Sequence, residues 1–116
     1  MNFIIVIPAR YASSRFPGKP LAKINGKTML ERVYEKCCLA VEKKNIIVAT
    51  DSKKIADHCK KKKLNFLMTS KKCLTGTDRV AEVSKKIKRD FYINVQGDEP
   101  LIKATDLIKV INYAKK

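Results

Sequence analysis

The sequence predicts an α/β fold with a doubly wound, mainly parallel sheet that is incomplete at the C-terminus. A continuous apolar run from Phe3 to Ile7, ended by Pro8, is typical of a strand buried on both faces. Strand-like and helix-like segments then alternate along the chain. The connections between the strand-like segments are too long for hairpins, so right-handed crossovers would join parallel strands, with helices on both faces of the sheet.

Each predicted element has a local signal. Thr28 and Glu31 have the spacing of a capping box, and Thr50, Asp51 or Ser52 is expected to cap a second helix. The predicted strands cover 3–7, 46–49, 64–68 and 91–95, and the apolar faces of the predicted helices lie within 30–41, 55–59, 80–87 and 107–114. The segment 8–26 is rich in Pro, Gly, Ser and basic residues, which predicts a long functional loop with a turn at Gly26.

Length and composition limit the class of protein. A chain of 116 residues, 45% of them hydrophobic, allows one compact domain. No apolar run approaches the roughly 18 residues that a membrane span needs, and the N-terminus lacks the features of a signal peptide. We therefore expect a cytoplasmic protein without a membrane partner. Its four cysteines form no C-x-x-C pair and the single histidine, His58, abuts Cys59, so we expect reduced thiols, with Cys37 in the core, and no zinc site.

The charge is strongly basic, at +15, but the cations are mostly lysine: 21 Lys against five Arg. Surfaces that bind nucleic acid generally rely on Arg and on interleaved aromatic residues, and neither accompanies the lysine run 60–63. This composition favours a solvated lysine-rich surface and no nucleic-acid partner. A polyanion-binding face is the alternative.

Residues suited to a metal-assisted nucleotide site lie after the predicted strands. The first loop carries Arg10, Arg15 and Lys19, whose charges could converge on a polyphosphate, and the fourth carries the adjacent acids Asp98 and Glu99. In a parallel sheet the carboxyl ends of the strands share one edge, where ligands bind. A carboxylate together with phosphate oxygens suits Mg²⁺, which we predict as the cofactor.

Simpler explanations exist for each of these segments. Residues 98–100 could form an ordinary turn before a helix, residues 75–77 could be only a helix cap, and Arg15 could be a surface residue. Gly26-Lys27-Thr28 resembles the end of a P-loop, but Leu21 stands where the leading glycine belongs. The common placement of three segments at one edge of the sheet favours the site.

Four motifs together resemble those of the 3-deoxy-manno-octulosonate cytidylyltransferases, also called CMP-Kdo synthetases. The motifs are PARYASSRFPGKPL at 8–21, ATD at 49–51, TGTDRVAE at 75–82 and NVQGDEP at 94–100. The resemblance implies a Rossmann-like nucleotidyltransferase that joins CTP and Kdo, giving CMP-Kdo and pyrophosphate for lipopolysaccharide biosynthesis. The anomeric hydroxyl of Kdo would attack the α-phosphorus directly, without a covalent enzyme intermediate.

The resemblance also implies roles for individual residues. Arg10, Arg15 and Lys19 would hold the triphosphate and, with Asp98 as the Mg²⁺ ligand, form the catalytic set. The substrate-binding set would comprise Ala9, Thr75, Gly76, Thr77 and Gln96. Of these, residues 75–77 would line the cytosine pocket, where serine is more usual than Thr75, and Gln96 would lie near the sugar acid.

Members of this family continue well beyond residue 116. The resemblance therefore implies that residues 1–116 are the nucleotide-binding half of a cytidylyltransferase domain whose C-terminal half is absent. We expect this half to be inactive alone and the complete enzyme to be a homodimer. The alternatives are a related CMP-sialic acid synthetase, which the segment 17–21 matches less well, and a lysine-rich nucleic-acid-binding α/β module.

Overall fold

A computed structural model describes residues 2–12, 17–73, 75–97 and 103–115 of the chain. Within these ranges the predicted alternation of strands and helices is confirmed. In chain order, the elements are β1 (Phe3–Pro8), β2 (Lys23–Ile24), β3 (Lys27–Thr28), α1 (Met29–Ala40), β4 (Ile46–Thr50), α2 (Lys53–Lys62), β5 (Phe66–Met68), α3 (Gly76–Lys86), β6 (Phe91–Asn94) and α4 (Ala104–Lys115). None of the helices in the described part of the chain has the length and apolar character that crossing a membrane requires.

The central sheet of the described residues is parallel, with the strand order β5-β4-β1-β6. In β1, Ile5 pairs with Ile46 of β4 on one side and with Ile93 of β6 on the other. All six residues of β1 are buried, as its continuous apolar run predicts. The predicted α/β class with a mainly parallel sheet is therefore confirmed.

Helices cover both faces of this sheet because successive side chains of β1 point to opposite sides. Ile5 and Ile7 belong to the larger core cluster, which contains apolar residues of α1, α2 and α4. Ile4 and Val6 belong to a smaller cluster, which contains Val83 of α3. The sheet is thus doubly wound, with three helices on one face and α3 on the other in the described part of the chain.

Helix caps agree with the sequence signals. The Thr28 hydroxyl accepts a hydrogen bond from the Glu31 backbone N–H at 3.1 Å, which completes the predicted capping box. Ser52, one of three candidates, caps α2 by accepting from the Ile55 backbone N–H. The first helix ends at Ala40, one residue before the predicted limit at Val41.

The segment 8–26 is more structured than the predicted loop. It contains a 3-10 turn, Lys19–Leu21, and the strand β2, which pairs with β3 in an antiparallel hairpin. Asn25 and Gly26 form the two-residue turn with φ angles of 51° and 84°. Asn-Gly is the preferred pair for such a turn because both positions need a positive φ, so the hairpin had a local signal in the sequence. The turn predicted at Gly26 is confirmed.

The cysteines are free thiols, as expected. Cys37 and Cys59 are fully buried in the larger core cluster. Burial raises the pKa of each thiol to about 12, so both stay protonated at neutral pH. They act as small apolar core residues rather than as nucleophiles.

His58 of α2 has a structural role that its sequence neighbours do not predict. Its Nε2 atom lies 3.0 Å from Thr28 Oγ1 and 3.4 Å from Glu31 Oε1, which ties α2 to the first turn of α1. Burial lowers the pKa of His58, and Lys62, Lys61 and Lys23 lower it further, while the Glu31 carboxylate opposes the shift. The neutral imidazole is therefore favoured in the folded protein.

This arrangement predicts a pH-dependent stability. Because the pKa of His58 is lower in the folded chain, the unfolded chain binds more protons, and the free energy of unfolding falls as the pH drops below about 6.5. His58→Asn should flatten this part of the profile, since the chain has no other histidine. Urea unfolding between about pH 7 and pH 5 measures the effect. A profile with the same slope in the variant would contradict the assignment.

Candidate active site

In open α/β sheets, ligands bind in a crevice at the carboxyl edge of the sheet. From β1 the chain crosses to β4 and then to β5, and it later returns to pair β6 with the opposite side of β1. The segment after β1 leads to α1 on one face of the sheet, and α3, which covers the other face, begins against the same carboxyl edge. The residues that follow β1 and β6 include the predicted Ala9, Arg10 and Gln96.

Backbone hydrogen bonds extend the parallel pairing beyond the strands and fix this edge. Val95 N–H donates to the Val6 carbonyl at 3.0 Å, and Gly97 N–H donates to the Pro8 carbonyl at 3.2 Å. Ala9 N–H donates to the Ala49 carbonyl of β4 at 3.0 Å. Ala9 and the pair Gln96-Gly97 are thereby held side by side at the carboxyl edge.

Gly97 allows the chain to pass close to β1. A Cβ atom at this position would lie 3.2 Å from both the Pro8 carbonyl oxygen and Ala9 Cβ. Ala9 itself is only 2% exposed. A ligand in the crevice would therefore meet the backbone of this segment rather than the Ala9 methyl group.

The first turn of α3 lies against the same edge. A Cβ atom on Gly76 would come within 2.9 Å of Gln96 Nε2 and 3.2 Å of Pro8 Cγ. The Gln96 amide is held in turn by donation to Asn94 Oδ1 at 3.2 Å. The structure thus brings together two segments that are far apart in sequence, both of which the sequence analysis had placed at the candidate site.

Thr75 caps α3 through a capping box with Asp78. Its hydroxyl accepts from the Asp78 backbone N–H at 3.0 Å, and the Asp78 carboxylate accepts from the Thr75 backbone N–H at 3.2 Å. The helix-cap role predicted for this segment is therefore confirmed for Thr75. It does not exclude a ligand contact, since Thr75 and Thr77 are both exposed at the start of the helix.

A buried polar group that the sequence analysis did not assign lies beneath this turn. Arg79, on α3, is fully buried and donates to Thr69 Oγ1 at 2.7 Å. Its guanidinium also contacts the Cys73 carbonyl and Asp51, which comes directly after β4. The signal for these residues in the sequence is their place in the motifs that carry the family resemblance, at 49–51 and 75–82. Only the path of the chain between β4 and α3 brings Asp51 and Arg79 together.

A backbone hydrogen bond closes the base of the loop after β1 that carries Arg10, Arg15 and Lys19, which we call the basic loop. Gly18 N–H donates to the Tyr11 carbonyl at 2.6 Å, and Gly18, with φ of 74°, packs against the Tyr11 ring. The Lys54 ammonium of α2 lies 4.5 Å from the centroid of that ring. Arg10 precedes this closure and Lys19 follows it, so the two predicted phosphate-binding cations lie at the two ends of one closed segment.

Three predicted residues of the site lie outside the described ranges: Arg15, Asp98 and Glu99. Within the described ranges, no group of three or more His, Cys, Asp or Glu side chains is arranged to hold a metal ion. The Mg²⁺ assignment to Asp98 therefore stays a prediction.

Curated relatives match most or all of the chain. It is 54% identical over 102 residues to the 3-deoxy-manno-octulosonate cytidylyltransferase of Syntrophotalea carbinolica, covering 88% of this chain and 41% of that protein. It is 50% identical over 119 aligned positions to the 8-amino-3,8-dideoxy-manno-octulosonate cytidylyltransferase of Shewanella sp. strain W3-18-1, covering 100% of this chain and 49% of that protein. The chain thus spans somewhat less than half the length of these relatives.

A solved structure has the same backbone fold as this chain. The backbone matches that of CMP:2-keto-3-deoxy-manno-octonic acid synthetase complexed with CTP, with a TM-score of 0.95 and 40% sequence identity over 99% of this chain and 48% of that one. The cytidylyltransferase family model matches residues 4–116. The chain therefore belongs to the cytidylyltransferase family.

Proposed function

We propose that this chain is the nucleotide-binding half of an enzyme that activates Kdo with CTP, giving CMP-Kdo and pyrophosphate for lipopolysaccharide biosynthesis. The observation that carries the proposal is the meeting of Gly76, Gln96 and the end of β1 at the carboxyl edge of the sheet. This edge belongs to a backbone that closely matches a synthetase with CTP bound. That relative supports CTP as the nucleotide, and the contacts at this edge support it as the site.

In the proposed reaction, the anomeric hydroxyl oxygen of the sugar bonds to the α-phosphorus of CTP. The bond between that phosphorus and the bridging oxygen to the β-phosphorus breaks, pyrophosphate leaves and the hydroxyl proton passes to water. Arg10, Arg15 and Lys19 would bind the triphosphate and stabilise the charge that develops on the leaving group. Residues 75–77 would hold cytosine while Gln96 orients the sugar, so that catalysis comes from positioning and charge neutralisation.

Asp98 is the residue we propose as the magnesium ligand. It follows Gly97, whose backbone N–H donates a hydrogen bond to the Pro8 carbonyl at the carboxyl edge of the sheet. A carboxylate oxygen combined with phosphate oxygens is the donor set that Mg²⁺ prefers. When bound, the ion would neutralise part of the triphosphate charge.

The acceptor sugar has two candidates because relatives of both names match this chain at similar identity. One is named for Kdo and the other for 8-amino-3,8-dideoxy-manno-octulosonate. A pyrophosphate-release assay with CTP and each sugar distinguishes them. We expect turnover only when the complementary half of the enzyme is supplied, and we propose that the complete enzyme is a homodimer.

Nucleotide binding by the chain itself is the first test of the proposal. CTP with Mg²⁺ should raise the melting temperature more than ATP with Mg²⁺ does, because only the nucleotide that fits the pocket stabilises the folded state. At 100 times its Kd, a ligand adds about 2.7 kcal/mol to the free energy of unfolding. A larger, salt-sensitive shift with a short DNA duplex would instead support the nucleic-acid-binding alternative.

Gly76→Ala tests the contact between α3 and Gln96. The added methyl group would meet the Gln96 amide at 2.9 Å and Pro8 at 3.2 Å, so the amide must move. We expect weaker CTP binding, measured by calorimetry, without loss of stability. Gly26→Ala is the matched comparison, since its φ of 84° disfavours alanine by about 1–2 kcal/mol but nothing lies near the new methyl group. Gly26→Ala should lower the free energy of unfolding and leave CTP binding unchanged. Weaker CTP binding by Gly26→Ala, together with unchanged binding by Gly76→Ala, would contradict the site.

Asp98→Asn tests the metal assignment. The substitution keeps the size of the side chain and removes the charge that Mg²⁺ requires. The thermal shift produced by CTP should lose its dependence on Mg²⁺, while the melting temperature without ligand stays the same. Asp106→Asn, which removes one carboxylate from the first turn of α4, is the control. If the Asp98 variant retained the full magnesium dependence, its carboxylate would not be the ligand.

A further inference from the structure

We propose that Arg79 is a positioning residue that sets the nucleotide-base selectivity of the first turn of α3; this inference rests on the proposed function. The guanidinium is fully buried, and its partners come from separate parts of the chain. Nη1 donates to Thr69 Oγ1 at 2.7 Å, and Nη2 donates to the Cys73 carbonyl at 3.4 Å. Nη2 also lies 3.8 Å from Asp51 Oδ2.

These contacts join three structural segments at one point. Asp51 directly follows β4, whereas Thr69 and Cys73 belong to the segment between β5 and α3. The Arg79 backbone N–H donates to the Thr75 carbonyl at 3.2 Å, which places the residue in the first turn of α3. If this side chain were displaced, the segment that leads into α3 would therefore shift relative to the carboxyl edge of the sheet.

A second side chain of α3 supports the same segment from the solvent side. Both carboxylate oxygens of Glu82 accept from the Ser70 backbone N–H, at 3.0 and 2.9 Å, and Glu82 also contacts Cys73 Sγ at 3.7 Å. Arg79 and Glu82 are three positions apart, so they project from neighbouring turns of α3. Together they hold the segment before the helix from inside and outside.

Stability alone explains Arg79 poorly. A buried cation is costly unless it is closely paired, and here the carboxylate paired with it in the described part of the chain, Asp51, is partly exposed and lies beyond hydrogen-bond distance. Arg79 Nε has no hydrogen-bond partner among the described residues. An apolar side chain of similar length could fill this space at little cost or with a gain in stability. The particular contribution of the arginine is the fixed geometry of its fork-shaped donor group.

That geometry affects the part of the site proposed to contact cytosine. Residues 75–77 begin at the helix cap above Arg79, and Gly76 lies against Gln96. Cytosine and uracil differ in one exocyclic group and in the proton on N3, so a site distinguishes them by accurately placed hydrogen bonds. A loosened first turn would lose this discrimination, whereas the cations of the basic loop would still bind the triphosphate.

The test measures the Kd values of CTP, UTP and inorganic triphosphate for the whole chain and its variants. Arg79→Met and Arg79→Lys should lower the ratio of the UTP to the CTP dissociation constant by about tenfold. Thr69→Val, which removes one acceptor and keeps the arginine, should lower the ratio to a smaller extent. Binding of inorganic triphosphate should change by less than about twofold. Lys85→Met, which removes an exposed charge from the same helix, should change none of these values.

The measurements distinguish a role of Arg79 in base selectivity from a merely structural role. A lower selectivity ratio with unchanged triphosphate binding supports the proposal. A selectivity ratio that stays the same in all three variants overturns the proposal. Equal losses of affinity for CTP, UTP and triphosphate with a lower melting temperature also overturn it, because a merely structural role would produce that result. If the unaltered chain does not prefer CTP to UTP, the proposed function fails and this inference fails with it.

Discussion

The central strand β1 is the constraint on which the rest of the molecule depends. Its residues are buried on both faces, so it must lie inside the sheet with helices above and below it. Burial of about 25 cal/mol per Å² of apolar surface makes any other placement costly. Because β4 pairs with one side of β1 and β6 with the other, the ends of these three strands lie side by side at the carboxyl edge of the sheet. The requirement that creates the core therefore also brings together the segments of the candidate site.

Small residues define the edge of the candidate site. Gly97 and Ala9 allow two backbone segments to run side by side, and Gly76 allows the first turn of α3 to approach the Gln96 amide. Backbone N–H and carbonyl groups are consequently close to the space where a ligand would lie. Such groups are fixed by the sheet and the helix, so they need little reorganisation when a ligand binds. The charged side chains of the basic loop would add attraction for phosphate to this rigid edge.

The basic surface has a different physical character from the site. Most described lysines are exposed on helices and turns, and several of the charges are paired or placed over aromatic rings. Lys27 pairs with Glu35 at 2.7 Å, and Lys60 lies over Phe66. Exposed pairs of this kind contribute little stability and are screened by salt. The buried cation Arg79 is the contrasting case, since its position beneath α3 is determined by hydrogen bonds.

The sequence by itself determined the fold class, the alternation of the sheet strands and helices, the capping box at Thr28 and the core position of Cys37, because these depend on local periodicity and short-range hydrogen bonds. It also indicated which segments would meet at the carboxyl edge, since parallel strands share that edge. It did not predict how Gly76 meets Gln96, how Arg79 reaches Asp51 and Thr69, or how His58 joins two helices. Those contacts connect residues that are up to 30 positions apart, and their distances are set by strand order and helix packing. Only the tertiary structure could decide them, because no local pattern records which crossover brings one helix over another strand.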